Sequence, residues 1–361
     1  MFLFVFWGLC VILALLNIDK SRKQQLFIVF FLCSLAFFFT GTRWKFGGDW
    51  EFYYAYFRNV KELDFHGDSF EFDYGWVLFT YIIKTLFSSY VVFQFFIASI
   101  IFFCVYKGIK GLSYVPVLSY MIYFSMQNGG IGYVRTTVAA SIFLFAYVFV
   151  AKKQFKPYLI TVLFATSIHF ASIMALPIYW IYWNHSKYSK YLLVFIICTV
   201  VFYVFGKVFI SDVSILGPFL EYKVNNYTSL QESGEGAGEY ISVETAIIGH
   251  ILKKAVTFFF LIFYCKKYYA TDNYLRGMTN VYIAGSILYC SMAPISMQFV
   301  RMSPLFDCVE IYLYAYIYSK MRRRSDRALL LFVVVIMSII RMRGHILPDP
   351  LYYNYHNVLF M

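Results

Sequence analysis

The chain has 361 residues, 61% hydrophobic, 23% aromatic and only 14% charged, with a formal net charge of +12. Soluble domains run at about 45–50% apolar and about 25% charged residues, so this chain has too few polar groups to cover a water-facing surface. Composition therefore excludes a cytosolic enzyme, a disordered regulator and a nucleic-acid module. It indicates an all-α polytopic membrane protein, one integral membrane domain over residues 1–361, in which each span needs about 20 residues.

Residues 2–16 form the first apolar run. No basic stretch precedes it and no small-x-small cleavage site follows, so it reads as a retained span and not a signal peptide. Further runs lie at 25–40, 90–106, 114–127, 133–150, 157–168, 170–183, 190–206, 246–265, 278–297, 303–319 and 328–342, about twelve spans in all. Pro177 and Pro294 should kink theirs, which neighbouring helices can accommodate. The segment 74–88 is apolar but short and carries Lys84; it reads as an interfacial helix that completes a first outward loop over 41–89. A second outward loop covers 207–245 and includes the flexible run QESGEGAGE at 231–239. The seven cysteines lie in or beside apolar runs, are odd in number and contain no CxxC pair, so they read as small buried apolar residues.

Charge sets the orientation. One set of alternating loops, around 19–23, 107–110, 152–156, 187–190, 266–276 and 320–327, holds 18 basic and three acidic residues. The rest of the chain is slightly acidic. By the positive-inside rule the basic loops face the cytoplasm and both termini face outward.

No GxxxxGK[ST] loop, no GxGxxG after a strand and no HExxH helix occurs, and the inward loops are too short for a nucleotide-binding domain. Chemistry then falls to groups at the outer ends of the spans, out of reach of cytosolic nucleotide-sugars. A lipid-linked substrate, which carries its own leaving group, fits that position; no cofactor and no metal is expected. Arg135 follows a glycine-rich link (Gly129, Gly130, Gly132) and opens a long apolar helix. It reads either as a phosphate contact, its planar fork suited to phosphate oxygens, or as an interfacial snorkelling arginine. His169, in TSIHFAS, sits at a tight reversal, as a base or phosphate donor or a hydrogen-bonded turn residue. His250, Lys253 and Lys254 share one helix face, where adjacent lysines either attract a diphosphate or snorkel. Arg301 precedes Asp307 and Glu310 and is the expected partner of Asp307. Arg341 and Arg343 add cations at the outer end of the last span. The first loop sets Arg43, Asp49 and Glu51 among Trp44, Trp50, Tyr53, Tyr54 and Tyr56. Such rings either stack on sugars or form an interfacial belt, and Tyr352, Tyr353 and Tyr355 near the C-terminus read the same two ways.

Five stretches in order resemble the EpsG-type branch of the Wzy polysaccharide polymerases: GTRWKFGGDWEFYYAYF at 41–57, DYGWVLFTYIIK at 73–84, GYVRTTVAASIFLFA at 132–146, SIHFASIMALPIYWI at 167–181 and FVRMSPLF at 299–306. Thr136 stands where the family usually has Gln, and His-Phe-Ala-Ser at 169–172 where it has His-x-Ser. The resemblance implies a multi-span glycosyltransferase of GT-C-like fold in a bacterial cytoplasmic (inner) membrane. It implies transfer of a growing glycan from undecaprenyl diphosphate to the next lipid-linked repeat unit at the outer face, yielding O-antigen, capsule or exopolysaccharide. The implied partners are the lipid-linked donor and acceptor, membrane lipid, a chain-length regulator of the Wzz type and the flippase. Asp49 or His169 is then the base, with the lean to Asp49, and Arg135 the main diphosphate contact. Arg43, Lys253, Lys254, Arg301, Arg341 and Arg343 bind diphosphate or sugar. The rival readings are a flippase or exporter, favoured by internal symmetry that is not seen, a surface-sugar acyltransferase, which needs a cytoplasmic-side His where only His185 lies, and a ligase.

Overall fold

A computed structural model of the chain describes residues 2–47, 49–65, 72–127, 134–185, 242–296, 299–346 and 355–360, with isolated positions between 190 and 201. Most of the run at 190–206, residues 207–241 of the second outward loop, the glycines at 129, 130 and 132, and the tyrosines at 352 and 353 lie outside the described residues. The chain packs as two compact units, Met1–Ile173 with Cys308–Met361, and Met174–Asp307.

Among the described residues the first unit is helical apart from one short strand pair. It contains α1 (Phe2–Asn17), α2 (Arg22–Gly41), β1 (Arg43–Trp44), α3 (Trp50–Asn59), α4 (Tyr74–Phe87), α5 (Tyr90–Leu112), α6 (Pro116–Gln127), α7 (Val134–Ala151) and α8 (Phe155–Ile168). After the second unit the chain returns as α13 (Glu310–Lys320), α14 (Arg324–Ile346) and β2 (His356–Asn357). Helices α6 and α13 are buried almost throughout, as predominantly apolar and aromatic helices must be. Around α6 pack α1, α2, α13 and α14; α5 packs on α2 and α7, and α7 on α8. Val5, Ile12, Leu16, Phe27, Phe30 and Phe31 stand outward from α1 and α2, a surface suited to hydrocarbon and not to water.

In the second unit, α9 (Ile178–Trp183), α10 (Val243–Phe260) and α12 (Pro304–Asp307) each pack on α11 (Asn273–Met292). Gly277 lies under the Tyr182 ring. Asn280 donates to the carbonyls of Ile181 and Asn184 at 3.1 and 2.8 Å.

Four helices among the described residues are long and apolar enough to cross a membrane: Arg22–Gly41, Tyr90–Leu112, Val134–Ala151 and Val243–Tyr268, the last continuing α10 through a π-helical turn at Leu261–Cys265. Helix α4, expected to be interfacial, has 14 residues, about 21 Å, short of a 30 Å hydrocarbon core. The run expected as one span at 170–183 divides at Pro177 into a 3-10 stretch (Phe170–Ala175) and α9. Pro294 follows the end of α11 and does not kink it.

The two termini of the first unit meet at its first loop. Asn357 and His356 pair antiparallel with Arg43 and Trp44. Val358 N–H donates to the Thr42 carbonyl at 2.9 Å, and the Tyr355 ring stacks on Phe2 at 4.2 Å. Tyr355 donates to the Phe39 carbonyl at 2.7 Å; burial raises its hydroxyl above a phenol's ordinary value, so it remains a neutral donor at physiological pH.

Candidate functional site

The site starts from an irregular helix cap. Asp73 precedes α4 and its carbonyl accepts from the Trp76 and Val77 N–H groups at 2.9 and 3.1 Å. An N-cap Asp ordinarily spends its carboxylate on such N–H groups, but here the side chain makes no capping hydrogen bond. Asp73 Oδ2 instead accepts from Arg135 Nη1 at 3.0 Å and lies 3.9 Å from His169 Nδ1. The carboxylate is only 3% exposed.

Gly75 brings these groups together. A Cβ there would lie 2.6 Å from the Ser167 carbonyl oxygen, so α4 approaches the end of α8 as closely as only glycine allows. His169 caps that end of α8. Its N–H donates to Ala165 at 2.9 Å and its carbonyl accepts from Ser172 at the same distance, which fixes the reversal.

Arg135 is the second residue of α7. Its Nε donates to the Tyr53 hydroxyl at 3.0 Å, and the guanidinium carbon lies 5.1 Å from the Phe72 ring centroid and 5.9 Å from that of Tyr53. Tyr53 belongs to the buried face of α3, spaced helically with Trp50 and Phe57. The guanidinium is thus held along two edges, by a phenol and a carboxylate, in front of aromatic rings. Such a site pairs an orienting carboxylate with an imidazole and holds a cationic fork beside them. The fork can take an anionic leaving group and the imidazole a proton.

Arg43 and Asp49 belong to the neighbouring loop. Arg43 is buried, and the Gln94 amide accepts from its Nε at 3.3 Å and from Trp50 Nε1 at 3.1 Å while donating to its carbonyl at 3.0 Å. Asp49, half-buried, precedes α3 and makes no side-chain cap. Between them Gly47 takes φ 99°, the left-handed bend that the loop requires. Trp44, Trp50 and Tyr54 pack on one another at 4.8–5.3 Å.

The remaining predicted cations separate. Arg341 pairs with buried Glu310 at 2.5 Å, while Arg343 is exposed on α14. In the second unit Lys253 is exposed, Arg301 half-buried and Lys254 buried. His250, expected on one face with both lysines, is buried with Lys254, and Lys253 turns away. Asp307, expected to pair with Arg301, takes Lys254 at 2.5 Å. Sequence reading missed Asp73. The signal available was an acidic residue two positions before a helical glycine, at the head of a stretch, 73–84, that carries the family resemblance but was given no site residue.

No curated protein and no solved structure matches the chain. A family model, that of the EpsG family, matches residues 26–357. The match runs from α2 to the C-terminal strand pair and takes in Asp73, Arg135 and His169. The chain therefore belongs to the EpsG family.

Proposed function

We propose that this protein polymerises polysaccharide from lipid-linked oligosaccharide repeat units, acting at the outer face of a bacterial cytoplasmic membrane with both termini outward. EpsG membership points to polysaccharide polymerisation in general. The observation that carries the finer reading is the shared Asp73 carboxylate, with Arg135 at 3.0 Å and His169 at 3.9 Å.

In this reading His169 takes the proton from the acceptor hydroxyl as its oxygen bonds to the anomeric carbon of the donor. The bond from that carbon to the diphosphate breaks, and undecaprenyl diphosphate leaves with its growing charge on Arg135. Attack opposite the leaving group inverts the anomeric centre. Asp73 holds both groups in place, and Arg43 and Asp49 line the approach of the sugar. A chain-length regulator and the flippase are its partners in the membrane.

Deleting the gene tests this in the cell. The expected result is surface glycan capped by a single repeat unit. A persisting ladder of long chains removes the polymerase reading, and loss of even the first repeat favours a flippase.

A further inference from the structure

A cavity of about 650 Å³ lies at the turn between α1 and α2. Lys20, Ser21, Lys23 and Gln24 line it around the start of α2, and Phe27 and Ile28 one turn further along. Lys23, Gln24, Phe27 and Ile28 fall at spacings of three and four, on a single face of α2. Phe27 is 71% exposed, and Phe31, four residues on, continues the exposed stripe into the apolar part of the helix. The cavity therefore runs from cations to hydrocarbon along one helix face.

The turn that forms its rim is held in place. Gln25, buried on the other side of α2, donates to the carbonyls of Ile18 and Lys20 at 2.8 and 3.0 Å. Ser21 and Gln24 cap the helix reciprocally, so the Gln24 N–H is already taken. Arg22 reaches across to the Lys110 carbonyl of α5 at 2.6 Å. The one acid of the turn, Asp19, is engaged elsewhere: it lies 3.8 Å from Arg327 Nη1 and accepts from the Tyr318 hydroxyl at 3.5 Å. Among the described residues no carboxylate pairs with Lys20 or Lys23. An orientation signal needs only basic residues on the correct side of the membrane. It needs neither a clasped turn nor aromatic rings in line with the lysines, whereas a fixed rim lowers the ordering cost of a bound ligand.

We propose that this cavity binds an anionic glycerophospholipid of the cytoplasmic leaflet, with its phosphate between Lys20 and Lys23 and an acyl chain along Phe27, Ile28 and Phe31. The leaflet rests on the orientation reading, in which the basic loops face the cytoplasm. Anionic headgroups attract lysines at the membrane surface, and the two lysines here lack a protein counter-ion. A soluble phosphate satisfies the lysines but gives the ring stripe no role; a lipid uses both.

The test uses the full chain in detergent micelles, titrated with phosphatidylglycerol, with the first bound lipid followed by native mass spectrometry. Phosphatidylethanolamine and glycerol 3-phosphate form separate arms. Lys20→Gln combined with Lys23→Gln weakens the first phosphatidylglycerol by roughly 30-fold, about fivefold for each lysine at an anionic headgroup. It leaves phosphatidylethanolamine unchanged. Lys20→Arg with Lys23→Arg retains binding, and Phe27→Ser weakens it with the charges untouched. Lys152→Gln, which removes an exposed cation of another basic loop, changes nothing. If the double variant fails to fold, each single variant replaces it, with a loss of about fivefold expected. Unchanged affinity in the folded lysine variants overturns the proposal. So does an equal loss in Lys152→Gln, which marks a diffuse basic face, or an equal loss for phosphatidylethanolamine. Displacement of the first phosphatidylglycerol by glycerol 3-phosphate marks a soluble-phosphate site and overturns the lipid assignment. The leaflet is read separately: Lys152→Cys stays unlabelled by a membrane-impermeant maleimide in intact cells and is labelled once they are opened. Labelling in intact cells defeats the orientation reading and the leaflet with it, and leaves the binding site standing.

Discussion

Asp73 changes what Arg135 can be. A snorkelling arginine turns its fork to water, whereas Arg135 has two of its nitrogens fixed by a buried carboxylate and a phenol. Arg135→Ala is therefore expected to abolish chain growth while the protein still inserts. Arg135→Lys should restore only part of it, because an ammonium lacks the planar fork. Full activity of the Ala variant at equal expression contradicts the phosphate role. The base is decided by comparing His169→Ala with Asp49→Asn in purified protein. Loss of a general base lowers turnover by about 10²–10⁴-fold with substrate binding kept. The proposed mechanism expects that loss at His169, and normal turnover of His169→Ala returns the assignment to Asp49. Asp73→Asn should cost roughly 10–100-fold, since each charge-assisted hydrogen bond is worth about 1.5–3 kcal/mol, with Asp73→Glu recovering part of it. Arg135 and His169 were legible singly, because a charged residue opening an apolar helix and a histidine at a reversal are local features. Asp73 was not, since its meaning lies in partners 62 and 96 residues away in the chain. The same holds for Asp307, whose nearest basic residue in sequence is not the partner it takes.

Several helices begin up to five residues before the apolar runs that announce them, and these early starts have one physical source. The apolar run expected from 25 starts as a helix at Arg22, capped by Ser21 and Gln24 in a reciprocal box. That expected from 246 starts at Val243 after Ser242, and that from 278 at Asn273 after Asp272, whose carboxylate accepts from Tyr274 and Leu275 N–H. Hydropathy sees only the apolar turns, while capping side chains open helices in polar sequence. The length criterion separates α2, α5, α7 and α10 from shorter apolar helices that composition alone also suggests as spans. Packing at Gly75 is the element on which the site depends. Gly75→Val drives two methyl groups toward the Ser167 backbone and is expected to cost about 1–3 kcal/mol. It should also lower turnover more than stability alone explains, because Asp73 moves away from His169; a thermal shift with unchanged turnover of the folded fraction contradicts this. The strand pair gives a second test. Removing residues 355–361 deletes the Asn357 and Val358 contacts to the first loop and the Tyr355 hydrogen bond to α2. A lower melting midpoint and weaker activity are expected, and a truncated protein with both unchanged shows that Arg43 needs no support from the C-terminal segment.

At the scale of the molecule, composition and the basic loops identified a helical membrane protein before any site was considered, and the family match extends over nearly the whole chain. Each of the two units carries a buried acid–base pair against aromatic rings, Arg135 with Asp73 in one and Lys254 with Asp307 in the other. In the proposed function the protein itself forms the bond between repeat units. The most direct measurement reconstitutes the purified full chain in proteoliposomes with a single lipid-linked repeat unit on undecaprenyl diphosphate, and separates the products by length. A polymerase yields a ladder of two and more repeats, released undecaprenyl diphosphate in proportion to the bonds formed, and neither in Arg135→Ala. Folded protein that binds the substrate yet leaves every glycan at one repeat contradicts it.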